Sequence, residues 1–366
     1  MTPQKLLDIY IDYLMISTSE TSATGLSALL DHQVSHDQIT RMLSESYELF
    51  GDQQYWKRIK PLVRKVEQPD GILIVDDFVM EKPHSQENEI IAYHYSHLKG
   101  RSVKGINAIH LLYSVTFEGQ EVNLPLDFDL VRKNATRIEK KTQQEERYDL
   151  KTKNERFREM LHRADFMHHV PFEWVMADSW YANAGNMRQI HKKHKKGFLM
   201  GMKSDRNIAL HKAHLRRKEF VKLADLSLQL GEVRQIWIPR LDFPLYVCKE
   251  IYVNKDNSTG ELFLVTNREG MTYQQMISLY PERWRIEPMH KSIKNNASLC
   301  ASPTKVPRTQ QNHIFAAFFA LAQFEMLKIK TKLNHFALKK VLYMASLKQA
   351  FRQLQLLKND ERVLYD

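Results

Sequence analysis

GILIVDDFV, residues 71–79, is the stretch on which the architecture turns. Ile72 to Val75 form an apolar run of the kind that fills a central strand buried on both faces, and the run terminates at two acids, Asp76 and Asp77. Carboxylates are costly inside a sheet, so the pair belongs at a rim where water or a cation can compensate the charge. At the level of residues alone, Asp76 and Asp77 are equivalent candidates.

Working outward, the same pattern recurs at EWVMAD, residues 173–178, where a second apolar strand is ended by Asp178 and followed by the turn SWYANAG and a helix through Asn186 to His194. Two strands each closed by an aspartate can bring their tips together at one sheet edge. Residues 106–117 and 122–128 read as neighbouring strands joined across FEGQE, a turn longer than two residues. The charged stretch 138–164, without Gly or Pro, reads as one helix, and GFLMGMK at 197–203 as a fifth strand. From about 205 to 270 the runs RQIWIP, YVCKEIYVN and ELFLVT alternate or are β-branched, which predicts a small antiparallel insertion. The order predicts an α/β fold with a mixed five-stranded sheet, flanking helices, a β-rich insertion and a helical N-terminal domain.

The expected division is a helical region at 1–64, the first part of the main domain at 65–204, the insertion at 205–270, the remainder at 271–330 and a C-terminal helical region at 331–366. Within the first region, Leu26 to Leu43 reads either as a helix-turn-helix with DNA contact or as a plain bundle, and Ser35 with Gln38 has the spacing of a capping box. IFAAFFALAQFEMLKI, residues 314–329, is apolar nearly all round, too short and interrupted for a membrane span, and belongs in a core.

A third acid comes from YPERWRIEPMHKSIK, residues 280–294. On a helical wheel Tyr280, Arg283, Glu287 and Lys294 fall within about 60° of one another with Lys291 beside them, while Ile286, Met289 and Ile293 form a separate apolar stripe. Pro288, interior if Pro281 opens the helix, predicts a kink beside Glu287. Asp76 or Asp77, Asp178 and Glu287 would repel one another without cations, so the set makes sense as a divalent-metal site. Mg²⁺ suits it because it takes oxygen ligands and keeps waters that a phosphate can replace, and in a two-ion reaction one ion activates the nucleophile while the other stabilises the leaving oxygen. The H-x-x-H spacings at 94–97 and 191–194 lack a third spaced ligand, so zinc is not supported.

The chain has 366 residues and a formal charge of +11, which favours a polyanionic partner. Residues 191–220 hold 10 Lys/Arg against 2 Asp/Glu. Lys192, Lys193, Lys195 and Lys196 within that run are either a solvated face or a surface for a DNA backbone, and the loop-like cations of residues 93–104 are a second candidate. With only two cysteines, Cys248 and Cys300, and no CxxC, neither a disulfide framework nor a thiolate zinc site is supported. With no signal-like leader and no long apolar span, the expected location is cytoplasmic and nucleoid-associated, with no membrane partner.

These motifs together resemble the DDE transposases of bacterial insertion sequences, in the group whose ribonuclease H-like domain is interrupted by a β-strand insertion before the Glu. That group carries Tyr-x2-Arg-x3-Glu-x6-Lys, reproduced as Tyr280, Arg283, Glu287 and Lys294, and IVDDF and ADSWY resemble its two Asp motifs. The resemblance spans roughly residues 65–330 and assigns the first metal-binding acid to Asp76. It implies Mg²⁺, with Mn²⁺ able to substitute, at two ions per active site held by Asp76, Asp178 and Glu287. It further implies cleavage of element ends and strand transfer into target DNA by a homodimer on terminal inverted repeats, with phosphate contacts from Tyr280, Arg283 and Lys294. Trp237 is a candidate for stacking on a flipped end base, against a packed core role. The competing expectations are a nuclease or resolvase without strand transfer, and a non-catalytic DNA-binding descendant of a transposase.

Overall fold

The computed structural model describes residues 1–45, 48–96, 99–139, 143–253 and 256–359. The chain opens with helices α1 (Pro3–Ile16), α2 (Ala23–Leu29), α3 (His36–Leu43) and α4 (Asp52–Val66). Six strands follow: β1 (Ile72–Glu81), β2 (Ile91–Ser96), β3 (Arg101–Phe117), β4 (Gln120–Leu130), β5 (Ala135–Ile138) and β6 (Glu145–Tyr148). Next come α5 (Lys153–His162), β7 (Trp174–Ala177), α6 (Ala184–Arg188), β8 (Gly197–Met202), β9 (Asn207–Ile208), α7 (Lys212–Arg217) and β10 (Val221–Lys222). The chain then forms β11 (Val233–Ile236), β12 (Leu245–Val253) and β13 (Thr259–Thr266) before α8 (Tyr273–Leu279), a 3₁₀ segment (Tyr280–Arg285), α9 (Ile286–Asn295), α10 (Pro307–Thr331) and α11 (His335–Asn359). Two compact units result, one of Met1–Leu62 with His290–Asp366 and the other Val63–Met289, so the C-terminal helices group with the N-terminal ones.

In the sheet unit five strands run in the order β4-β3-β1-β7-β8. The first three are antiparallel neighbours, while β1–β7 and β7–β8 are parallel. The parallel steps are crossed by helices, as a parallel pair requires. The β3–β4 connection is tighter than its sequence suggests: Phe117 pairs with Gln120, leaving only Glu118 and Gly119, both at positive φ, as a two-residue hairpin needs. The expected helix over 138–164 begins only at Lys153, where Thr152 and Glu155 form a capping box; β5 and β6 precede it. Residues 140–142 lie outside the described part. The insertion extends the main sheet, because β13 pairs antiparallel with β8 and carries β12 and β11 outward. The apolar runs of β12 and β13 need a partner edge, and β8 supplies one.

The helical unit buries α10 among Leu6, Tyr10, Ile11 and Leu14 of α1 and the buried face of α3, Ile39, Met42 and Leu43. Tyr10 and His313 share a 2.8 Å hydrogen bond in this core, and the Asn312 amide caps the carbonyls of Leu43 and Glu45. The capping box of Ser35 and Gln38 forms as its spacing predicts. Among the described residues no helix is long and apolar enough to cross a membrane.

Candidate active site

Strand β1 does not end at its acids. It stays paired with β3 as far as Glu81 opposite Gly105, whereas its pairing with β7 stops at Ile74 opposite Met176. Asp76 and Asp77 therefore sit at a rim on one side only, where the parallel neighbour has run out. Two residues beyond the Ile74–Met176 pair on each strand stand Asp76 and Asp178, so the register places these acids level and on one face. Asp77, one residue on, faces the opposite side.

The two neighbours in β1 have different surroundings. Asp77 is saturated: its carboxylate accepts from the Asn107 amide at 2.9 Å, the Lys153 ammonium at 2.6 Å and the Tyr181 hydroxyl at 2.9 Å. Asp76 accepts from the Asp77 N–H at 2.8 Å. Burial first, then the charge of Asp178, and more weakly those of Asp77 and Glu287, push the Asp76 carboxyl up to about 7 against that hydrogen bond. Asp178 follows β7 in a turn in which it accepts from the N–H groups of Trp180 at 3.0 Å and Tyr181 at 3.4 Å.

Glu287 is exposed in the first turn of α9. The expected continuous helix over 280–294 is two elements, because a 3₁₀ segment carrying Pro281 precedes α9. Pro288 thus falls in the first turn of a new α-helix, where its missing N–H leaves no hydrogen bond broken and no interior kink is required. The 100° wheel does not apply across that junction. Tyr280 and Arg283, one 3₁₀ turn apart, are buried against each other, with the guanidinium 5.6 Å from the ring centre. The Tyr280 hydroxyl lies against Gly201, where a Cβ would come within 3.0 Å of it. Burial first raises the Tyr280 pKa, Arg283 opposes that, and Asp178 adds to it. Arg285 anchors the segment through Ser114 at 2.8 Å and Glu121 at 3.2 Å.

Among the described residues no group of three or more His, Cys, Asp and Glu side chains is gathered closely enough to hold a metal ion. Asp76 and Asp178 are neighbours; Glu287 bears on Asp76 electrostatically without closing a three-carboxylate cage. The donor set itself, hard carboxylate oxygens with uncompensated mutual repulsion, is what a divalent cation relieves.

The other expected residues lie elsewhere. Lys291 and Lys294 belong to the helical unit, where Lys291 stands 5.4 Å over the Phe336 ring. Lys192, Lys193, Lys195 and Lys196 precede β8, at the end of the sheet away from the acids: Ala177 pairs with Met200, so Asp178 is level with Gly201, about 13 Å along the strand from Gly197. Lys192 pairs with Asp242 at 3.1 Å, and Lys196 lies 4.7 Å over Phe172. Trp237 is only 8% exposed and bridged to Ala209, a packed side chain and not an open stacking platform. The 93–104 patch is the β2–β3 hairpin, with His97 outside the described residues. Beside Asp178 the structure offers instead Trp180, 38% exposed, with Lys153 5.1 Å over its ring. The signal for it was the SWY directly after the aspartate.

No curated protein matches the chain. Residues 2–219, more than half of the chain and inclusive of Asp76 and Asp178, match the family described as DDE superfamily endonuclease, and the chain belongs to that family.

Proposed function

We propose that the protein is a DNA transposase: a ribonuclease H-like DDE enzyme that cuts the ends of a mobile element and joins them to target DNA, acting as a homodimer on terminal inverted repeats. Asp76, Asp178 and Glu287 are the proposed metal-binding acids. The observation that carries this reading is the level placement of Asp76 and Asp178 on adjacent parallel strands, with the Asp76 carboxyl raised first by burial and then by the charge of Asp178. Strand order β4-β3-β1-β7-β8 supports the ribonuclease H-like assignment. The family match ends at residue 219, so Glu287 rests on the Tyr-x2-Arg-x3-Glu-x6-Lys resemblance and on its electrostatic effect at Asp76.

Bound Mg²⁺ or Mn²⁺, two ions per site, would supply water activation and stabilisation of the departing oxygen. The chain's own groups hold and orient the substrate. Tyr280, whose hydroxyl lies against Gly201, and Arg283, packed on the Tyr280 ring, are proposed phosphate contacts near the reacting strand, and Lys291 and Lys294 of the helical unit are proposed as DNA contacts of their own. The lysine run at 192–196 is proposed to add duplex affinity away from the acids.

The test is nicking of supercoiled plasmid and of element-end duplexes in Mg²⁺, with joining of a labelled 3′-hydroxyl end to target DNA as a second readout. Asp178→Ala abolishes both while leaving the unfolding transition in place. Undiminished nicking by that variant overturns the assignment, and nicking without joining replaces transposition by simple DNA cleavage.

A further inference from the structure

The β1–β7 ladder has run out beyond Ile74 opposite Met176, so backbone pairing between these strands does not fix the separation of Asp76 and Asp178. Two carboxylates drawn level on one face repel, and without a tie the strand tips would relax apart. One residue of the turn after β7 supplies that tie. Tyr181 donates its hydroxyl to Asp77 Oδ1 at 2.9 Å and its backbone N–H to Asp178 Oδ1 at 3.4 Å. Asp77 in turn donates its N–H to Asp76 Oδ1 at 2.8 Å. Both acids are thus joined through a side chain that meets β1 from the back, on the face of Asp77. Lys153 and Asn107 donate to the other Asp77 oxygen, Oδ2.

Tyr181 is itself held firmly. It is 1% exposed, with its ring edge-on to Phe157 of α5 at 5.8 Å and to Trp180 at 4.8 Å. Its carbonyl accepts from the buried Asn186 amide at 2.9 Å, and Asn186 and Asn183 both donate to Asn154 Oδ1, at 2.7 and 2.8 Å. Lys153 and Asn154 open α5, so one helix start braces the tie at both ends, Lys153 at Asp77 and Asn154 behind the Tyr181 carbonyl. Phenylalanine would fill the same space, and what the hydroxyl adds is the bond to Asp77.

We propose that Tyr181 is a positioning residue for the metal-binding acids, tying the tip of β7 to that of β1 and so holding Asp76 and Asp178 level for a shared divalent cation. The proposal rests on the metal-dependent reading above. It is tested by calorimetric titration of Mn²⁺ into the full chain without DNA, with urea unfolding of each variant beside it. The parent binds Mn²⁺ and Asp178→Ala does not. Tyr181→Phe, which keeps the ring, lowers Mn²⁺ affinity by roughly 10- to 100-fold, the range for groups that orient metal ligands. Half-maximal nicking by that variant needs correspondingly more Mn²⁺, while the rate at saturating Mn²⁺ returns toward the parent's. Phe157→Leu, which loosens the packing of the ring and spares the hydroxyl, lowers the urea midpoint and leaves Mn²⁺ affinity near the parent's. A folded Tyr181→Phe with parental Mn²⁺ affinity overturns the proposal, as does an equal loss of affinity in Phe157→Leu. If Tyr181→Phe does not fold, Asn154→Ala, which frees the same turn at its carbonyl end, carries the test: lowered affinity supports the tie and parental affinity overturns it. A parent chain that binds no Mn²⁺, or an Asp178→Ala variant that binds it as the parent does, removes the metal reading itself and the tie with it.

Discussion

Asp76 and Asp77 are consecutive residues of one strand, yet the two faces of β1 on which they lie have opposite electrostatics. On the front, Asp76 meets another carboxylate level with it across the parallel pairing, and its carboxyl is pushed up to about 7. On the back, Asp77 is answered by an ammonium, an amide and a phenol. One face leaves charge unbalanced and the other spends its carboxylate on holding the site together. The difference teaches that acid count at a strand rim says little; the partners on each face decide which acid is reserved for a ligand.

The sharpest way to break the contrast is to remove each acid alone. Asp76→Asn is expected to take nicking below detection while leaving the unfolding midpoint equal or higher, since it deletes a repulsive group. Asp77→Ala is expected to cost about 2–4 kcal/mol of stability, because three donors lose their acceptor and Lys153 loses its counter-charge in a partly buried site. Urea unfolding with parallel nicking assays reads both. A stable, inactive Asp77→Ala beside an unstable, active Asp76→Asn would reverse the roles of the faces.

Sequence periodicity carried the reading as far as the strands and acids. Apolar runs stopped by aspartate are strong local signals, and both strands form where expected, because a buried parallel strand must be apolar on both faces. What lay beyond local signals was pairing. Nothing in IVDDF shows that β1 continues beyond its acids along β3, and nothing in the insertion shows that β13 adds to β8. The 280–294 segment misled in another way: a wheel assumes one helical period, and a proline at each of positions 281 and 288 divides the stretch between 3₁₀ and α geometry. Charge density along the chain says nothing of place. The Lys192–Lys196 run is dense in sequence but remote from the acids, whereas the cations beside Asp178 are scattered from Arg188 to Arg240 and gather only on folding.

That third point gives a smaller effect to measure. Substituting Lys192, Lys193, Lys195 and Lys196 by Gln should reduce the salt slope of duplex binding by about 2, since Lys192 is already paired and Lys196 is half-buried, and each phosphate contact contributes roughly 0.9. Nicking at saturating DNA should be unchanged. A fall in that saturated rate would show that the run reaches the reacting strand despite its place at the far end of β8.

The smallest effect tests whether the back face of β1 is as cation-rich as its contacts indicate. His94 on β2 is 8% exposed, and burial first, then Lys133 and Lys153, lower its pKa to about 4, with Asp77 pulling the other way. Below its ordinary value of 6.5 the unfolded chain takes up a proton that the folded chain refuses. Stability should therefore fall as pH drops from 6.5 toward 4, by at most about 1.4 kcal/mol per pH unit from this group, with no contribution above that window. Other residues titrate in the same range, so the informative quantity is the difference between the parent and His94→Gln in urea unfolding at pH 7.5, 6 and 5. The variant should lose less stability on acidification. Removing Asp77 as well strips away the carboxylate that favours a charged His94, so in an Asp77→Ala background the His94 contribution should persist to lower pH. Parallel curves in both backgrounds would mean that Lys153 is neutralised by something other than Asp77, and the back face would then no longer differ in kind from the front.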